Sequence, residues 1–433
     1  MPPAGSNAPG SAGVAAPAAP AARLAWQRLA PQRWPLPREA FPAGTALVGG
    51  AVRDALLNRL GERPDIDLVL PGDAVELCRQ LRRRHGGSAV VLDAERSIAR
   101  LVINGWTLDL ARQEGGSLTA DLHRRDYTIN AMALPLAATD QLVDPLGGSA
   151  HLARGALVAV SEANLLDDPL RLLRGLRLAS ELGFQLEPQT RAWIHQHHGR
   201  LAAVAGERVL AELEKLAVAP EGEQGLAEVQ ASGLLLPWQR RATVSGDTDP
   251  GVPLRQLTPA HAAALGLNAT ETAAALPLAR LAALLDGGAL QQLRSSRRLQ
   301  QRVERLRHWW EQTGASPEPL PEPQRLQLQR QLEEDLPALL LSWPAAAAAD
   351  AAHWLQRWRD PADPLFHPRP AIDGGRLQRE LGLAPSPQLG QLLEQLMLER
   401  AFGRIHGPEE ALEAARRWLD GRPGPAVADG RRD

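Results

Sequence analysis

The hydrophobic and polar positions of this chain follow two different periods, and the change falls near Gly155. Between Thr45 and about Leu136, five short apolar runs are flanked by turn residues, as is typical of β-strands: TALVG, DIDLVL, AVVLD, ARLVI and WTLDLA. Two segments between these runs, AVRDALLNRL and DAVELCRQLRRR, repeat apolar residues at helical spacing. The pattern predicts an α/β segment.

Beyond about Gly155 the strand pattern ends and apolar residues recur at helical intervals, as in GERVLAELEKLAV and LQQRVERLRHWWEQ. The predicted fold class is therefore α+β, with an α/β head followed by helices only. We expect a disordered Ala/Pro-rich tail at 1–40, a head at 41–150, a helical neck at 151–216, a helical body at 217–360 and a helical tail at 361–433. PADPLFHPRP (361–370) is expected to be a linker.

Composition narrows the class of protein only a little. The chain has 433 residues and a formal net charge of −2, which by itself does not indicate a nucleic-acid binder. Cys78 is the only cysteine, which excludes an intramolecular disulfide and suits a reducing compartment. Because the N-terminal residues lack the features of a signal peptide and no long apolar stretch occurs, we expect a cytoplasmic protein without membrane contact.

DIDLVL (65–70) places two carboxylates in one strand. Side chains alternate between the faces of a strand, so Asp65 and Asp67 are expected to point the same way. Like charges side by side repel unless a cation lies between them, and Mg²⁺ prefers such oxygen ligands. The alternative is a charged strand edge or a turn carboxylate, because Asp65 directly follows Pro64.

The neighbouring elements favour the metal site. Gly49 and Gly50 precede a predicted helix, where backbone N–H groups can bind an anion, and Arg53 adds a charged donor in the first turn. A phosphate cradle beside a pair of metal ligands would suit the transfer of a phosphorylated group. Asp109, in WTLDLA, is either a third catalytic carboxylate or an ordinary aspartate at a strand end.

LVGGAVRD and DIDLVL together resemble the nucleotidyltransferase head of the class II tRNA nucleotidyltransferases (CCA-adding enzymes) and bacterial poly(A) polymerases, within the polymerase β superfamily. The resemblance implies an enzyme that extends the tRNA 3′ end without a template, using CTP and ATP and releasing pyrophosphate. It also implies Mg²⁺ as the cofactor, with Asp65 and Asp67 as its ligands.

A second motif, DLHRRDYTINAMAL (121–134), resembles RRDFTINAMA of that family, with Tyr127 in place of Phe. The resemblance implies that Arg125, Asp126 and Asn130 recognise the ribose of the nucleotide. An amide and a carboxylate can satisfy the two hydroxyls of a ribose. From the residues alone, the arginines could equally lie in a solvated turn and Asn130 could cap a helix.

A third motif, LLDDPLRLLRGLRLASELGF (165–184), is similar to the family helix in which an aspartate and an arginine select the incoming base. Asp168 and Arg171 match those positions and, three residues apart, share one helix face. A carboxylate accepts from the amine of cytosine or adenine, where uracil and guanine present a carbonyl. The competing interpretation is that Asp168 is an ordinary helix cap before Pro169.

Arg174 and Arg177 continue the same helix and are expected to line the nucleotide pocket or to contact RNA phosphate. The C-terminal tail resembles the family's last helical element, and we expect it to bind RNA. Between DLAR and the RRD motif the chain has only QEGGSLTADLH, whereas relatives that add A usually have a longer flexible loop there. We therefore hypothesise CC addition, with complete CCA addition, poly(A) synthesis and a non-catalytic RNA-binding protein as alternatives.

Overall fold

The computed structural model describes residues 18–239, 252–314 and 320–421. These residues form two compact units, one reaching Val204 with Ser232–Leu234 added, the other made of Ala205–Ala231 and the residues from Leu235 onward. The strands are β1 Ala46–Val48, β2 Ile66–Leu70, β3 Ser88–Asp93, β4 Ile98–Ile103, β5 Trp106–Arg112, β6 Ala133–Pro135, β7 Ala156–Leu157 and β8 Gln185–Leu186. All lie in the first unit.

The α-helices of the first unit are α1 Ala18–Leu29, α2 Gly50–Leu57, α3 Ala74–His85, α4 Leu118–His123, α5 Gly148–Ala153, α6 Glu162–Asp167, α7 Leu170–Leu182 and α8 Pro188–Gln196. Those of the second are α9 Gly206–Val218, α10 Gly222–Ser232, α11 Pro259–Ala264, α12 Ala269–Leu284, α13 Gly287–Gln292, α14 Arg297–Thr313, α15 Glu322–Leu332, α16 Leu336–Leu340, α17 Ala348–Arg359, α18 Gly374–Leu381, α19 Pro387–Ala401 and α20 Pro408–Leu419. The α+β prediction is confirmed.

One six-stranded sheet, in the order β3-β4-β5-β2-β1-β6, forms the centre of the first unit. Its β2 and β5 run parallel, and the other neighbouring strands are antiparallel. Helix α3 packs against β3, β4 and β5. Along β5, Leu108 and Leu110 are buried while Asp109 between them is only half-buried. The alternation therefore leaves one face of the sheet for polar side chains.

The five predicted strands are confirmed as β1 to β5, and three further strands were not anticipated. The short strand β6 pairs with β1 and falls inside the motif assigned to sugar recognition. The two-residue strands β7 and β8 pair with each other beyond Gly155, where only helices were expected. Strands this short carry too few side chains for a period of two to be recognised.

The prediction of a disordered tail at 1–40 is wrong for residues 18–40, whereas residues 1–17 lie outside the described part. Helix α1 buries Ala22, Ala25, Trp26 and Leu29. These positions follow helical spacing and form one apolar face, which packs against α2. The Ala- and Pro-rich composition obscured this face, because alanine contributes little to a hydrophobic pattern although it packs closely.

Arg28 links α1 to the end of α2. Its Nη1 donates to the backbone carbonyl oxygens of Ala55 and Leu56 at 2.8 and 3.0 Å. The last carbonyls of a helix have no partner within the helix and carry partial negative charge. Arg28 therefore stabilises the C-terminal end of the helix whose N-terminal end begins at Gly50.

The compact units differ from the predicted head and neck. The first unit continues past residue 150 to Val204, and α9 belongs to the second. Backbone hydrogen bonds of residues 158–160 with Asp126 and Thr128, and the ion pair of Arg174 with Asp126, hold residues 156–204 in the first unit. Residues 237–260 are rich in Pro and polar residues, from which the sequence predicts a soft boundary, but 240–251 lie outside the described residues.

The expected linker at 361–370 is wrong in its central part, because Leu365 and Phe366 are buried in the second unit. The Phe366 ring contacts the Trp354 ring edge-on, with centroids 5.2 Å apart. The chain after it forms a separate small core from α18, α19 and α20. Among the described residues, no helix is long and apolar enough to cross a membrane.

Arg280 of α12 is the most buried charged side chain of the second unit, with 2% of its surface exposed. Its guanidinium pairs with the buried Glu223 and donates to the carbonyl oxygens of Ala217, Ala219 and Leu257 at 2.8 to 3.0 Å. Each buried charge here is neutralised and hydrogen-bonded, which is the condition under which an ion pair is tolerated in a protein interior.

Replacing Arg280 with alanine should therefore lower the free energy of unfolding by about 3–5 kcal/mol, because Glu223 would remain buried without a partner. Denaturant unfolding of the full chain would measure this. The matched control is Arg294→Ala, which removes an exposed ion pair with Glu207 and should cost about 0–1 kcal/mol. Equal losses for the two variants would contradict the central role of Arg280.

Candidate active site

A row of charged side chains crosses the open face of the sheet. The parallel register places Asp67 of β2 beside Asp109 of β5, and the antiparallel register places Arg100 of β4 beside Asp109. The Nε and Nη2 of Arg100 donate to the two carboxylate oxygens of Asp109 at 2.7 and 2.8 Å. Asp65 lies just before β2 and is exposed. The structure thus brings the three predicted aspartates to neighbouring strand positions.

The surroundings of Asp67 disfavour its charged form. Burial, with the charges of Asp109 and Asp65 acting in the same direction, raises the pKa of its carboxyl group to about 6. Arg125 and Arg174 act in the opposite direction. A carboxylate in such a position is stabilised by an added cation, because a positive charge nearby favours ionisation.

The donor set fits a hard divalent cation held by two carboxylates. Among the described residues, no three His, Cys, Asp or Glu side chains converge to hold a metal ion. Asp109 is instead paired with Arg100, so the structure does not gather it with Asp65 and Asp67 as a third ligand. Mg²⁺ is commonly bound by one or two carboxylates, with water and substrate phosphates completing its shell.

Gly49 brings the backbone close to these carboxylates. Its φ of +74° lies in the region that glycine adopts without steric cost. A Cβ atom added at Gly49 would lie 3.1 Å from Oδ2 of Asp67 and 3.5 Å from Nη1 of Arg125. Gly50 then begins α2, whose first N–H groups have no partner within the helix. The N-terminus of α2 therefore borders the same space as Asp67, which with Asp65 forms what we call the acidic pair.

Arg53 is buried and braces other side chains. Its Nε and Nη2 bind the two carboxylate oxygens of Asp54 at 2.8 and 3.0 Å. Its Nη1 donates to Oδ1 of Asn130 at 2.9 Å. The sequence predicted a phosphate donor at this position, whereas the structure uses three of its five N–H groups to hold Asp54 and Asn130.

Asp126 is almost fully buried, yet its surroundings favour the charged form. Its Oδ1 accepts from the Tyr127 N–H at 2.8 Å and from Nδ2 of Asn130 at 3.2 Å. Its Oδ2 lies 3.0 Å from Nε of Arg174. Burial works against ionisation, but Arg174 and these hydrogen bonds hold the pKa of Asp126 below its ordinary value. Asp126 therefore joins the second motif to α7.

Arg125 is held beside the acidic pair. Its Nη2 donates to Oδ2 of the buried Asp121 at 3.0 Å, and its Nη1 lies near Gly49. The second motif is thus not a solvated turn: Arg125, Asp126 and Asn130 all make specific contacts within the site. Asp121 was not predicted as part of it.

Arg171 lies in the first turn of α7, whereas Asp168 precedes this helix by two residues in an extended conformation, so the prediction that the two share one helix face is wrong. Oδ1 of Asp168 accepts from the N–H of Leu170 at 3.3 Å, a long contact of the kind expected from a capping residue. Nη1 of Arg171 donates to the carbonyl oxygen of Asn164 at 2.7 Å. The structure is therefore compatible with both interpretations of Asp168, as a helix cap and as a base-selecting residue.

The two later arginines of α7 have different surroundings. Arg174 pairs with Asp126 across the site, whereas Arg177 pairs with Glu181 one turn further along the same helix. The side chain of Arg177 is only 12% exposed. Of the two, Arg174 is the one that the structure joins to the predicted sugar-binding motif.

Sequence reasoning did not identify Arg100, Asp121 or Asn164. Nδ2 of Asn164 donates to the carbonyl oxygens of His123 and Arg125, each at 2.7 Å, and so ties the second motif to the segment before α7. A signal for Arg100 was available, because it alternates with the buried Ala99 and Leu101 in β4. No such signal marks Asn164, whose role depends on where the chain folds back.

The chain matches two family models, the poly A polymerase head domain at residues 45–158 and a probable RNA- and SrmB-binding site of polymerase A at residues 183–240. It is 36% identical to the CC-adding tRNA nucleotidyltransferase of Synechocystis, covering 89% of this chain and 96% of that one. It is 33% identical to the A-adding tRNA nucleotidyltransferase of Deinococcus radiodurans, covering 91% and 99% respectively.

Among solved structures, a CCA-adding enzyme in complex with CTP aligns with a TM-score of 0.71 at 23% identity, covering 92% of this chain and 98% of that one. This similarity shows a shared fold. Fold, site and relatives together define a nucleotidyltransferase. The chain belongs to the tRNA nucleotidyltransferase family, as its long alignments with curated members show. The resemblance seen in the sequence is confirmed, and poly(A) polymerase is not favoured.

Tyr127, the only tyrosine of the chain, offers a direct test of this geometry. It is fully buried, and its hydroxyl donates to the carbonyl oxygen of Arg171 at 2.7 Å. Burial and the nearby charge of Asp126 raise its pKa far above the ordinary value. Ionisation should therefore destabilise the fold as the pH rises above the unfolded-state pKa of about 10.

We expect the near-ultraviolet absorbance of tyrosinate to appear only when the protein unfolds, at a pH well above that of free tyrosine. The control is the same titration in denaturant, where absorbance should rise with a midpoint near pH 10. A folded protein that titrates at this ordinary pH would show that Tyr127 is exposed.

Proposed function

We propose that the protein adds cytidines to the 3′ end of tRNA, using CTP and releasing pyrophosphate. The observation that carries this proposal is the proximity of Asp67, the Gly49 backbone and the N-terminus of α2, which offers a site for a cation and a triphosphate together. The long alignment with a relative named for CC addition supports it.

In the proposed reaction, the 3′-hydroxyl oxygen of the RNA attacks the α-phosphorus of CTP. A new oxygen–phosphorus bond forms, the hydroxyl proton passes to solvent, the bond to the bridging oxygen of the β-phosphate breaks, and pyrophosphate leaves. The N–H groups around Gly49 and Gly50 receive the phosphates, because a helix N-terminus carries partial positive charge. Arg53 acts through Asn130 rather than on the phosphates themselves.

Mg²⁺ is the proposed cofactor, with Asp65 and Asp67 as its protein ligands. When bound, it would favour ionisation of the attacking hydroxyl and neutralise the charge of the leaving pyrophosphate. Asp109 adds negative charge beside Asp67, and Arg100 holds its carboxylate in place.

We propose that the second motif and α7 select the nucleotide. Asn130 and Asp126 are held in place by Arg53 and Arg174, which suits recognition of a ribose, and Arg125 lies near Gly49 and Asp67. Asp168 would accept from the cytosine amine while Arg171 donates to the adjacent ring acceptor. Arg177 would support α7 from its far side.

The segment between β5 and the second motif favours CC addition over complete CCA addition. Residues 114–123 form a 3₁₀ turn and the short helix α4, which Ser117 caps by accepting from the Ala120 N–H at 3.1 Å. Asp121 accepts from the Glu114 N–H at 3.3 Å and from Arg125. A segment held by these hydrogen bonds is poorly suited to the movement that would convert the pocket from cytosine to adenine recognition. The names of the relatives do not decide between the two, because CC-adding, A-adding and CCA-adding enzymes all occur among them.

The specificity can be tested with a tRNA that lacks its 3′ CCA. Incubated with CTP and ATP, it should gain two cytidines and then stop. A tRNA already ending in CC should accept no AMP, and this serves as the internal control. Addition of C, C and A would establish complete CCA synthesis instead, and long A-tails on unrelated RNA would restore poly(A) polymerase.

The proposed metal ligands can be tested by replacing Asp65 and Asp67 with alanine, singly and together. Each variant should lose CMP incorporation by about a hundredfold to a thousandfold, because the site loses several kcal/mol of charge stabilisation. Binding of tRNA should remain measurable. The matched control is Asp140→Asn, an exposed aspartate of the same unit. Persistent incorporation in the double variant would refute the metal site.

Two further assignments belong to this proposal. Helices α18, α19 and α20, in the described part of the predicted tail at 361–433, would contact the RNA, and the cytoplasm would be the compartment in which a tRNA 3′ end is processed. The single cysteine and the origin of the substrate support the second assignment.

A further inference from the structure

The hydroxyl of Tyr127 occupies a space that a side chain at Gly175 would fill. Gly175 lies inside α7, and a Cβ atom added there would be 2.0 Å from Oη and 2.7 Å from Cζ of Tyr127. Neither distance is compatible with an ordinary contact between atoms. Glycine weakens a helix interior relative to alanine, so its presence in α7 calls for a packing reason. The tyrosine provides that reason.

Neither partner can easily move away. The backbone around Tyr127 is fixed by two hydrogen bonds, from the Val160 N–H to the Asp126 carbonyl at 3.0 Å and from the Thr128 N–H to the Val158 carbonyl at 2.9 Å. Gly175 is fixed by the helix in which it lies. A methyl group at Gly175 would therefore have to displace a buried aromatic ring.

The contact lies between the two segments that we propose to bind sugar and base. The Tyr127 hydroxyl donates to the backbone carbonyl of Arg171, while the guanidinium of the same arginine donates to Asn164. Arg171 is thus held at its backbone by the second motif and at its side chain by the segment before α7. The space at Gly175, which has no side chain, admits the Tyr127 hydroxyl. The hydrogen bond from this hydroxyl then holds the backbone of Arg171.

We propose that Tyr127 and Gly175 are a matched pair that fixes α7 against the second motif and thereby positions Arg171 for nucleotide discrimination. The consequence for discrimination rests on the proposed function, whereas the steric match does not. Tyr127 is a positioning residue in this account, because it acts on the nucleotide only through Arg171.

The test compares Y127F, G175A and the double variant Y127F/G175A in the full chain. The matched control is G199A, because Gly199 also lies in a helical segment of the first unit but a Cβ there would meet nothing within 4 Å. G175A should lower the thermal midpoint and CMP incorporation strongly, whereas G199A should match the parent protein. In the Y127F background the G175A change should cost at least about tenfold less activity.

Y127F alone should raise KM for CTP about fivefold and lower the ratio of CMP to UMP incorporation by a similar factor, the effect of one lost hydrogen bond. A lower thermal midpoint with unchanged KM and unchanged ratio would mean that the tyrosine only packs, which overturns the positioning role. Additive effects of the two substitutions, or equal tolerance of G175A and G199A, would overturn the pair itself.

If G175A yields no folded protein, recovery of folding in Y127F/G175A supports the pair. Because the added Cβ would still lie 2.7 Å from Cζ of a phenylalanine, Y127L/G175A, which removes that atom as well, is made in parallel, and failure of both double variants to fold contradicts the pair. The proposed function fails separately. A parent protein that adds no nucleotide to tRNA would refute that function, while the unfolding measurements would still test the match between Tyr127 and Gly175.

Discussion

The buried carboxylate of Asp126 is the interaction on which the arrangement of the first unit depends. A charge in a protein interior is tolerated only when it is paired and hydrogen-bonded, and each partner of Asp126 comes from a different position along the chain. Asn130 connects it to Arg53 at the start of α2, and Arg174 connects it to α7. One desolvated group thus brings together the helix beside the acidic pair and the helix proposed to select the base.

The neighbouring aspartates of β2 and β5 are not both neutralised in this way. Asp67 and Asp109 lie side by side on parallel strands, and only Asp109 has a close basic partner, Arg100. This arrangement disfavours the charged form of Asp67, because burial and the like charge of Asp109 both raise its pKa. Active sites commonly hold such unfavourable charge, because a ligand that relieves it is bound more tightly.

Much of the fold could be predicted because apolar periodicity records which face of each element is covered. The five strands β1 to β5 and the α+β division were found in this way. Helix α1 was missed because its buried face is built largely from alanine, and β6 because it overlaps the end of a motif interpreted as a sugar-binding segment. For the site, the motifs gave residues that the structure brings together, such as Asp126, Asn130 and Arg174. Arg100, Asp121 and Asn164 hold those residues through contacts between distant segments, which a linear pattern does not encode.

Helix α2 is held at its C-terminal end by a residue that lies outside the three motifs. Arg28 holds the carbonyl end, and the opposite end carries Gly50 next to the acidic pair. The match to the head-domain family model begins at residue 45, after this anchor. A chain trimmed to begin at residue 45 would keep every motif but would lose Arg28, which holds the C-terminal end of the helix beside Asp67. Domain boundaries drawn from sequence families alone would therefore mark the catalytic parts of this enzyme but not the mechanical support that holds them.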